Sequence, residues 1–588
     1  MDGPGRPARS SGLLRLDGIH LYVSFGHAQM MPEAMPLLAL DTWVQLLPFA
    51  RGSLKGSASD RPARPRAVGL AGSRLYLDVT TPLRIPSLRQ LMLGLFDTVY
   101  PQIAGAVSSQ LARIGPDRRA SLAGALPVLR LLAPVVPRVI AALAVFPVES
   151  FELRTNAAVT RIIDRIGSLD SARAVRDRLA VLFPAVPLIA PPIIAGIVAQ
   201  KLLAGLGVGE AALQPVLRAL PGNVTTEMDL TLADLNDLVR AQPALAAALR
   251  RDGFATVEAH PEAAAFLRGF REFLERYGMR GAGEIDLSQP RWRDDPGMLL
   301  SVVLGSIRGG EAGDHRRRHA ALAAAAEAAI ERLVSEVPWY RRFIVRRLLR
   351  VMRAGLGLRE HPKYLLVQIL ARARVVAQMA GRSLAEAGIL DRAGDVWFLT
   401  WDELVDGGAG PSTFRKAVES RRAAFVLDQK RQPPLVLASD GEIPAASVRE
   451  DLPAGAIGGI GASAGVVEGP ARVVLDPAVE VLHAGEILIA PFTDPGWTLL
   501  FTHAAGLATE VGGLMTHGSV IARELGIPAV VGAAGVTTRI HTGDRVRVDG
   551  SRGYVEVIAA VDTPPAAEPP GRAARLRASG PEDSMSPV

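Results

Sequence analysis

At 588 residues the chain is too long for one core, and 49% hydrophobic with 21% charged residues is the make-up of a globular protein of roughly two to four domains. Cysteine is absent, which excludes disulfides, a thiol nucleophile and a thiolate metal site. The net charge of +7 comes from scattered arginines, and aromatics are only 5% of the chain. The basic run "RRFIVRRLLRVMR" (Arg341 to Arg353) therefore reads as a solvated helical face, or one that meets an anionic substrate, and not as a nucleic-acid groove.

Residues 1–14 lack the apolar core of a signal peptide and read as a disordered head, so a cytoplasmic location is the default expectation. From about 15 to 95, short β-branched runs such as "LYLDVTTPL" mix with turn signals. From about 97 to 400 the texture is helical, with apolar residues three and four apart, as in "HAALAAAAEAAIERLVSEV". Within it, "LAVLFPAVPLIAPPIIAGIVA" (Leu179 to Ala199) is uncharged for long enough to span a bilayer. Its prolines at 184, 187, 191 and 192 should break helical hydrogen bonding over the first two thirds, so it reads as buried or as lining an apolar cavity. A Pro- and Gly-containing stretch, 432–454, reads as an interdomain linker. Beyond it "ARVVL", "EILIAP" and "PAVVG" read as strands of a compact α/β domain over 455–562, followed by a disordered tail, 563–588.

One stretch of that last domain carries chemistry. In "GGLMTHGSVIARELGIPAVVG" (Gly512 to Gly532), Thr516 is a fair N-cap for a helix from Gly518 to Leu525, Gly526 suits the left-handed position after it, and Pro528 forbids continuation. His517 therefore sits at a helix start, where unpaired N–H groups and the helix dipole favour an anion. Gly512 and Gly513 let the backbone approach a bulky anion, and a neutral imidazole nitrogen is a competent nucleophile toward phosphorus. The plainer reading is a capping histidine satisfied by backbone.

The stretch "ILIAPFTDPGWTLLFTHAAGLATEVGGLMTHGSVIARELGIPAVVG", with "GDRVRVDGSRGYVEV" after it, resembles the swivelling phosphohistidine domain of phosphoenolpyruvate-utilising enzymes. The resemblance implies that His517 carries the phosphoryl group and that Gly512, Gly513, Thr516 and Arg523 support its loop. Earlier in the chain, "LYVSFGHAQMMPEAMPLLALDTW", "RYGMRGAGEIDLSQPRWRDDP", "GLREHPKYLLVQIL" and "DVWFLTWDEL" resemble, in that order, the antibiotic-binding domain of the rifampin phosphotransferase family. The implied fold is multidomain: a large, mainly α-helical acceptor domain with some strands, 15–431, then the small α/β swivelling domain. In the acceptor domain, Gln29, Arg359 and Lys363 match polar residues of the family's transfer site. Arg359 and Lys363 lie one helical turn apart and can address one phosphoryl group, provided that a helix begins at Pro362. His27 reads as a hydroxyl base or as a packed core residue, and Glu284 as a further site residue or as the partner of Arg280.

In that family an ATP-grasp domain phosphorylates the histidine from the β-phosphoryl of ATP, and the histidine domain swings to the acceptor. Nothing ahead of residue 15 can hold ATP and no G-x-x-x-x-G-K-[ST] loop occurs, so a separate ATP-grasp protein is the expected partner. ATP and Mg²⁺ belong with that partner; no cofactor or metal is expected on this chain alone, and neither nucleic acid nor membrane as a partner. Pyruvate is disfavoured as acceptor, since the phosphoenolpyruvate synthase barrel uses a cysteine. The apolar run at 179–199 with Met30, Met31 and Met35 suits a pocket for a lipophilic, rifamycin-like hydroxyl compound, and suits ordinary core equally. Two other functions stay open: a catalytically idle relative that binds a lipophilic ligand, and a phosphohistidine relay to a protein.

Overall fold

The computed structural model of the chain describes residues 19–25, 33–46, 68–99, 101–115, 135–167, 169–179, 186–252, 257, 260–297, 299–300, 303, 315–407, 410–431, 434–444, 452–453, 455–475, 480, 482–493, 497–501, 503–513 and 516–560. The expected head and tail, and Gln29, His27, Met30 and Met31, lie outside them.

The first sheet is antiparallel. Its strands β1 (Leu21–Ser24), β2 (Val68–Ala71), β3 (Arg74–Asp78) and β4 (Val436–Ala438) run in the order β2-β3-β1-β4. Strand β4 corrects the linker expectation, because the first part of 432–454 is folded into this sheet. Leu21 pairs with Ala438, the Ser439 N–H donates to the His20 carbonyl, and Arg113 forms ion pairs with Asp440 and Glu442. A three-residue strand shows no periodicity, and the His20 N–H bond to Ser439 Oγ closes a separation of 419 residues, which local sequence pattern cannot reveal.

Helices occupy most of the following residues, the chief ones being α1 (Leu37–Leu46), α2 (Val186–Gly205), α3 (Val224–Arg240), α4 (Ala264–Tyr277), α5 (His315–Glu336), α6 (Arg342–Gly357) and α7 (His361–Glu386). Helix α2 runs through Pro191 and Pro192, contrary to the expected break. Interior prolines each remove a hydrogen bond, at about 3 kcal/mol. Packing against α6 offsets that cost: a Cβ at Gly355 would sit 2.2 Å from the Pro192 carbonyl oxygen, and one at Gly196 would sit 3.1 Å from the Gly355 Cα, so the two backbones touch. Ile189, Ala195, Ala199 and Leu203 of α2 are buried, as the sequence led one to expect of this run. Among the described residues no helix is long and apolar enough to cross a membrane.

Helix α1 is tied to distant segments by polar bonds. The Trp401 N–H donates to Asp41 Oδ2 (2.7 Å), Trp401 Nε1 to Thr42 Oγ1 (2.8 Å), and Trp43 Nε1 to the Ile285 carbonyl (3.0 Å). Met35, considered above for a lipophilic pocket, is core, buried in one cluster with Trp43 and Trp401.

The second sheet has eight strands, β5 (Ile457–Gly458), β6 (Ile460–Ser463), β7 (Val466–Val473), β8 (Ile487–Ala490), β9 (Gly506–Thr509), β10 (Ala529–Val531), β11 (Arg545–Asp549) and β12 (Tyr554–Ala559), in the order β5-β12-β11-β7-β8-β9-β10-β6. The pairs β7–β8, β8–β9 and β9–β10 are parallel. Parallel neighbours need crossovers. Two of the three contain a described helix, α8 (Thr498–Phe501) between β8 and β9, and α9 (His517–Leu525) between β9 and β10. Strand β8, "ILIA", is buried at every residue, as expected of a strand covered on both faces.

Two outcomes follow from the packing. Gly355→Ala drives a methyl into the Pro192 carbonyl and should lower stability by about 1–3 kcal/mol in urea unfolding, with Ala354→Gly as a neighbouring control. Burial pushes the Asp41 carboxyl up to about 6, so its protonated form is favoured in the fold. That contribution is complete below the ordinary carboxyl range and is lost as pH rises through 6. Relative to Asp41→Asn, the native chain should therefore lose roughly 2 kcal/mol between pH 4 and 7, and parallel pH profiles would refute the assignment.

Candidate functional site

His517 opens α9 above the carboxyl ends of parallel strands β8 and β9, the edge at which open α/β sheets bind ligands. The loop ahead of it is braced on one atom. The Gly513 carbonyl accepts from the Thr516 N–H (3.0 Å), from Thr516 Oγ1 (2.7 Å) and from Ser519 Oγ (2.7 Å), and the two hydroxyls lie 3.0 Å apart. Thr516 thus occupies the N-cap position without capping, since its hydroxyl is spent on Gly513 and Ser519. The first N–H groups of a helix have no intrahelical partner, and among the described residues the N-cap side chain does not take them, which is the condition an anion at a helix start requires. Gly512 is needed for close packing: a Cβ there would lie 2.9 Å from Val531 Cβ and 3.2 Å from Thr509 Oγ1. Gly526 takes the left-handed conformation (φ 73°) that ends the helix. Arg523 lies in the last turn of α9, and its guanidinium donates to the Ala462 carbonyl of β6 (3.1 Å), so this contact ties helix to sheet about 9 Å along the axis from His517.

The second polar cluster gathers at the turn between α6 and α7, where Tyr364 of α7 donates its hydroxyl to the Arg276 carbonyl of α4 (3.3 Å). Arg359 lies in the 3₁₀ turn Leu358–Glu360, and Lys363 in the first turn of α7, where Pro362 takes the starting position that its missing N–H permits. Glu284 joins them from the loop after α4. Its Oε2 is 2.8 Å from Arg280 Nε and its Oε1 is 3.4 Å from Lys363 Nζ; both contacts are ion pairs whose angles fall short of hydrogen bonds. Arg280 and Glu284 are 2% and 3% exposed, so the pair is desolvated, whereas Lys363 is partly open to solvent. Arg359 Nη1 donates to the Leu356 carbonyl (3.1 Å), and its Nε stands 3.8 Å from Glu360 Oε1.

Residue-type reasoning missed Arg291. It is 1% exposed; Nη2 donates to the Asp286 carbonyl (3.1 Å), while Nε and Nη1 have no hydrogen-bond partner among the described residues. Burial pushes its guanidinium down to about 10, and the nearby Glu284 carboxylate opposes that fall. The sequence offered only an arginine in "SQPRWRDDP"; depth of burial is a tertiary property. Trp43, through its bond to the Ile285 carbonyl, anchors the residue next to Glu284. The loop is also held by Arg374 of α7, which donates to the Leu287 and Ser288 carbonyls (3.0 and 2.7 Å) and to Asp294 Oδ2 (2.7 Å).

Helix α3 lies against both clusters. One side meets the Leu358–Glu360 turn, where Thr225 Oγ1 is 3.5 Å from Glu360 Oε2, and α3 also packs against α8, which in turn packs on α9. Arg218 is near the end of α9, within 3.7 Å of where a Cβ on Gly526 would stand. Gln29 and His27 lie outside the described residues; of the acceptor-site residues expected from sequence, the structure brings Glu284 and Lys363 together with Arg280, leaves Arg359 in the turn just ahead of Lys363, and adds the unexpected Arg291 near Glu284.

Residues 184–360 match the family described as rifampicin phosphotransferase fourth domain, and residues 482–553 match the PEP-utilising enzyme mobile domain. Over most of its length the chain is similar to proteins named rifampicin phosphotransferase. It is 37% identical over 572 residues to the rifampicin phosphotransferase of Streptomyces sviceus, covering 92% of this chain and 62% of that protein. The Bacillus subtilis rifampicin phosphotransferase is 37% identical over 61% of this chain and 42% of its own length. The prodigiosin synthesizing transferase PigC of Serratia marcescens is 30% identical over 60% of this chain and 41% of its own. The chain thus spans 62% of the length of the rifampicin phosphotransferases it matches over most of its residues. Arg280, Glu284, Arg291 and Arg359 fall inside the first matched segment, and His517 inside the second.

Replacing Glu284 by Leu leaves Arg280 buried without its counter-charge, and urea unfolding of Glu284→Leu should show a loss of about 3–5 kcal/mol. A loss below about 1 kcal/mol would mean that water already reaches the pair.

Proposed function

We propose that this chain is the phosphocarrier and acceptor part of a phosphotransferase, in which His517 carries a phosphoryl group and passes it to a hydroxyl of a small molecule. The observation that carries this reading is the position of α3, in contact with the Arg359 turn on one side and with the α8–α9 unit on the other. That arrangement lets one small domain present its histidine to the cation cluster without unfolding either part. The relatives named as rifampicin phosphotransferases, and the match of 482–553 to a mobile domain, support the same reading.

In the transfer, the imidazole N–P bond breaks, an O–P bond forms to the acceptor oxygen, and the hydroxyl proton leaves to a base. Positioning and neutralisation do most of the work in such a step. Arg359 and Lys363 neutralise the travelling phosphoryl oxygens, Gln29 orients the hydroxyl and His27 takes its proton. Glu284, fixed by Arg280, holds the Lys363 ammonium in place. The N–H groups at the start of α9, with Gly512, Gly513 and Thr516 shaping the loop, receive the phosphoryl on His517. The acceptor is a lipophilic, rifamycin-like hydroxyl compound by analogy with the named relatives. The likeness to a transferase named for prodigiosin synthesis favours a pocket, and not the carrier, as the source of acceptor choice. His517 is loaded from ATP by an ATP-grasp unit lying outside these 588 residues, and Mg²⁺ acts there.

The test supplies the chain with an ATP-grasp domain of this family, Mg²⁺ and β-³²P-labelled ATP. Acid-labile, alkali-stable label should appear on the native chain and be absent from His517→Ala. A chase with rifampin should then remove it, more slowly by about 10²-fold in Lys363→Ala. Label that persists in His517→Ala would overturn the reading.

A further inference from the structure

The basic run at Arg341 to Arg353 is not used by the proposed transfer. The structure divides it into two faces. Val345, Leu348, Leu349, Val351 and Met352 of α6 are all buried, so the helix's share of the core is complete on that side. On the other side, Trp339 is 80% exposed and Phe343 81%, with Tyr340 and Ile344 also more than half exposed. These four lie one turn apart on the tip where α5 turns into α6 through the 3₁₀ turn Trp339–Arg341. Folding gains nothing from aromatic rings in that state, and monomers rarely leave such a cluster bare without use.

The apolar surface continues beyond the tip. Arg347 donates to the Ala142, Leu143 and Phe146 carbonyls and so fastens the end of the short helix Val136–Ala144 beside α6. There Ile140 and Val145 are exposed as well. The rim is cationic: Arg341 stacks over the Tyr340 ring at 5.5 Å, Arg342 reaches back to the Ser335 and Val337 carbonyls, and Arg350 is exposed. Of the nearby acids, Glu331 is taken by Arg346 (2.7 Å) and Glu336 stands exposed at the end of α5; against Arg341, Arg342 and Arg350 the tip still carries an excess of positive charge.

We propose that this tip is a docking surface for an anionic lipid bilayer. Trp and Tyr favour the headgroup level, where a ring is half buried and its polar edge wet; Phe343 and Ile344 reach the acyl boundary, and the arginines meet lipid phosphates. A fluid bilayer accepts a projecting tip without needing a complementary groove, which a protein partner would have to supply. The contact departs from the expectation of no membrane partner, but it is peripheral and calls for no spanning helix. It is independent of the transfer chemistry, because none of its residues belongs to the His517 or Lys363 clusters.

Flotation of the full chain with phosphatidylcholine vesicles, with and without phosphatidylglycerol, tests it. Binding should favour the phosphatidylglycerol vesicles by tenfold or more, on the order expected from a few surface arginines. Tryptophan emission should shift to the blue on binding. Trp339→Ser/Phe343→Ser, whose side chains make no core contact, should lose about tenfold in partitioning while keeping its melting temperature. Arg341→Gln/Arg342→Gln should abolish the preference for the anionic vesicles. Equal or absent partitioning of the native chain, or undiminished binding of the aromatic variant, would overturn the proposal. So would a native chain that self-associates in light scattering while the aromatic variant is monomeric, for the tip would then join two copies of this chain.

Discussion

A buried carboxylate among cations is the constraint on which the acceptor side of this molecule turns. Glu284 is desolvated together with Arg280, has Arg291 close behind it, and extends its second oxygen to Lys363. A charge taken out of water is tolerated only when paired and held. The loop after α4 is accordingly fixed from several sides, by Trp43 through Ile285 and by Arg374 through Leu287, Ser288 and Asp294. Those anchors come from α1 and α7, so the geometry at Lys363 depends on elements far apart in the chain.

The histidine side is arranged by a different economy. Its loop is organised on a single carbonyl, that of Gly513, and the hydroxyls which would otherwise cap α9 are consumed in bracing it. The start of that helix has no side-chain cap from Thr516, and parallel strands β8 and β9 set it at the sheet's carboxyl edge. Gly512 and Gly526 work at opposite ends of the same crossover, one by admitting close packing and one by ending the helix in a left-handed turn.

Between the two sides stands α3, and behind it the contact of α2 with α6. The second contact explains how a segment with two adjacent interior prolines remains helical: a pair of glycines brings the backbones together, and packing at that distance outweighs missing hydrogen bonds. The arrangement also accounts for the apolar run that by composition alone has the look of a membrane span. Among its described residues Ile193, Ile194, Ala195 and Ala199 join the core that α6 shares and Ile189 a neighbouring one, while Ile197 stays exposed.

By itself the sequence determined whatever depends on neighbours within a few positions. The helix after His517 with its glycine stop, the strand "EILIAP", the helical middle and the helix start at Pro362 are set by local propensity, capping and backbone chemistry. Resemblance over long motifs added the roles expected of His517, Arg359 and Lys363. Tertiary structure decided the rest. Strand β4 inside the supposed linker, Met35 as core, the continuity of α2 through its prolines and the burial of Arg291 all depend on partners tens to hundreds of residues away. Burial and pairing at such separations follow from which surfaces meet when the chain closes, and no local pattern records that choice.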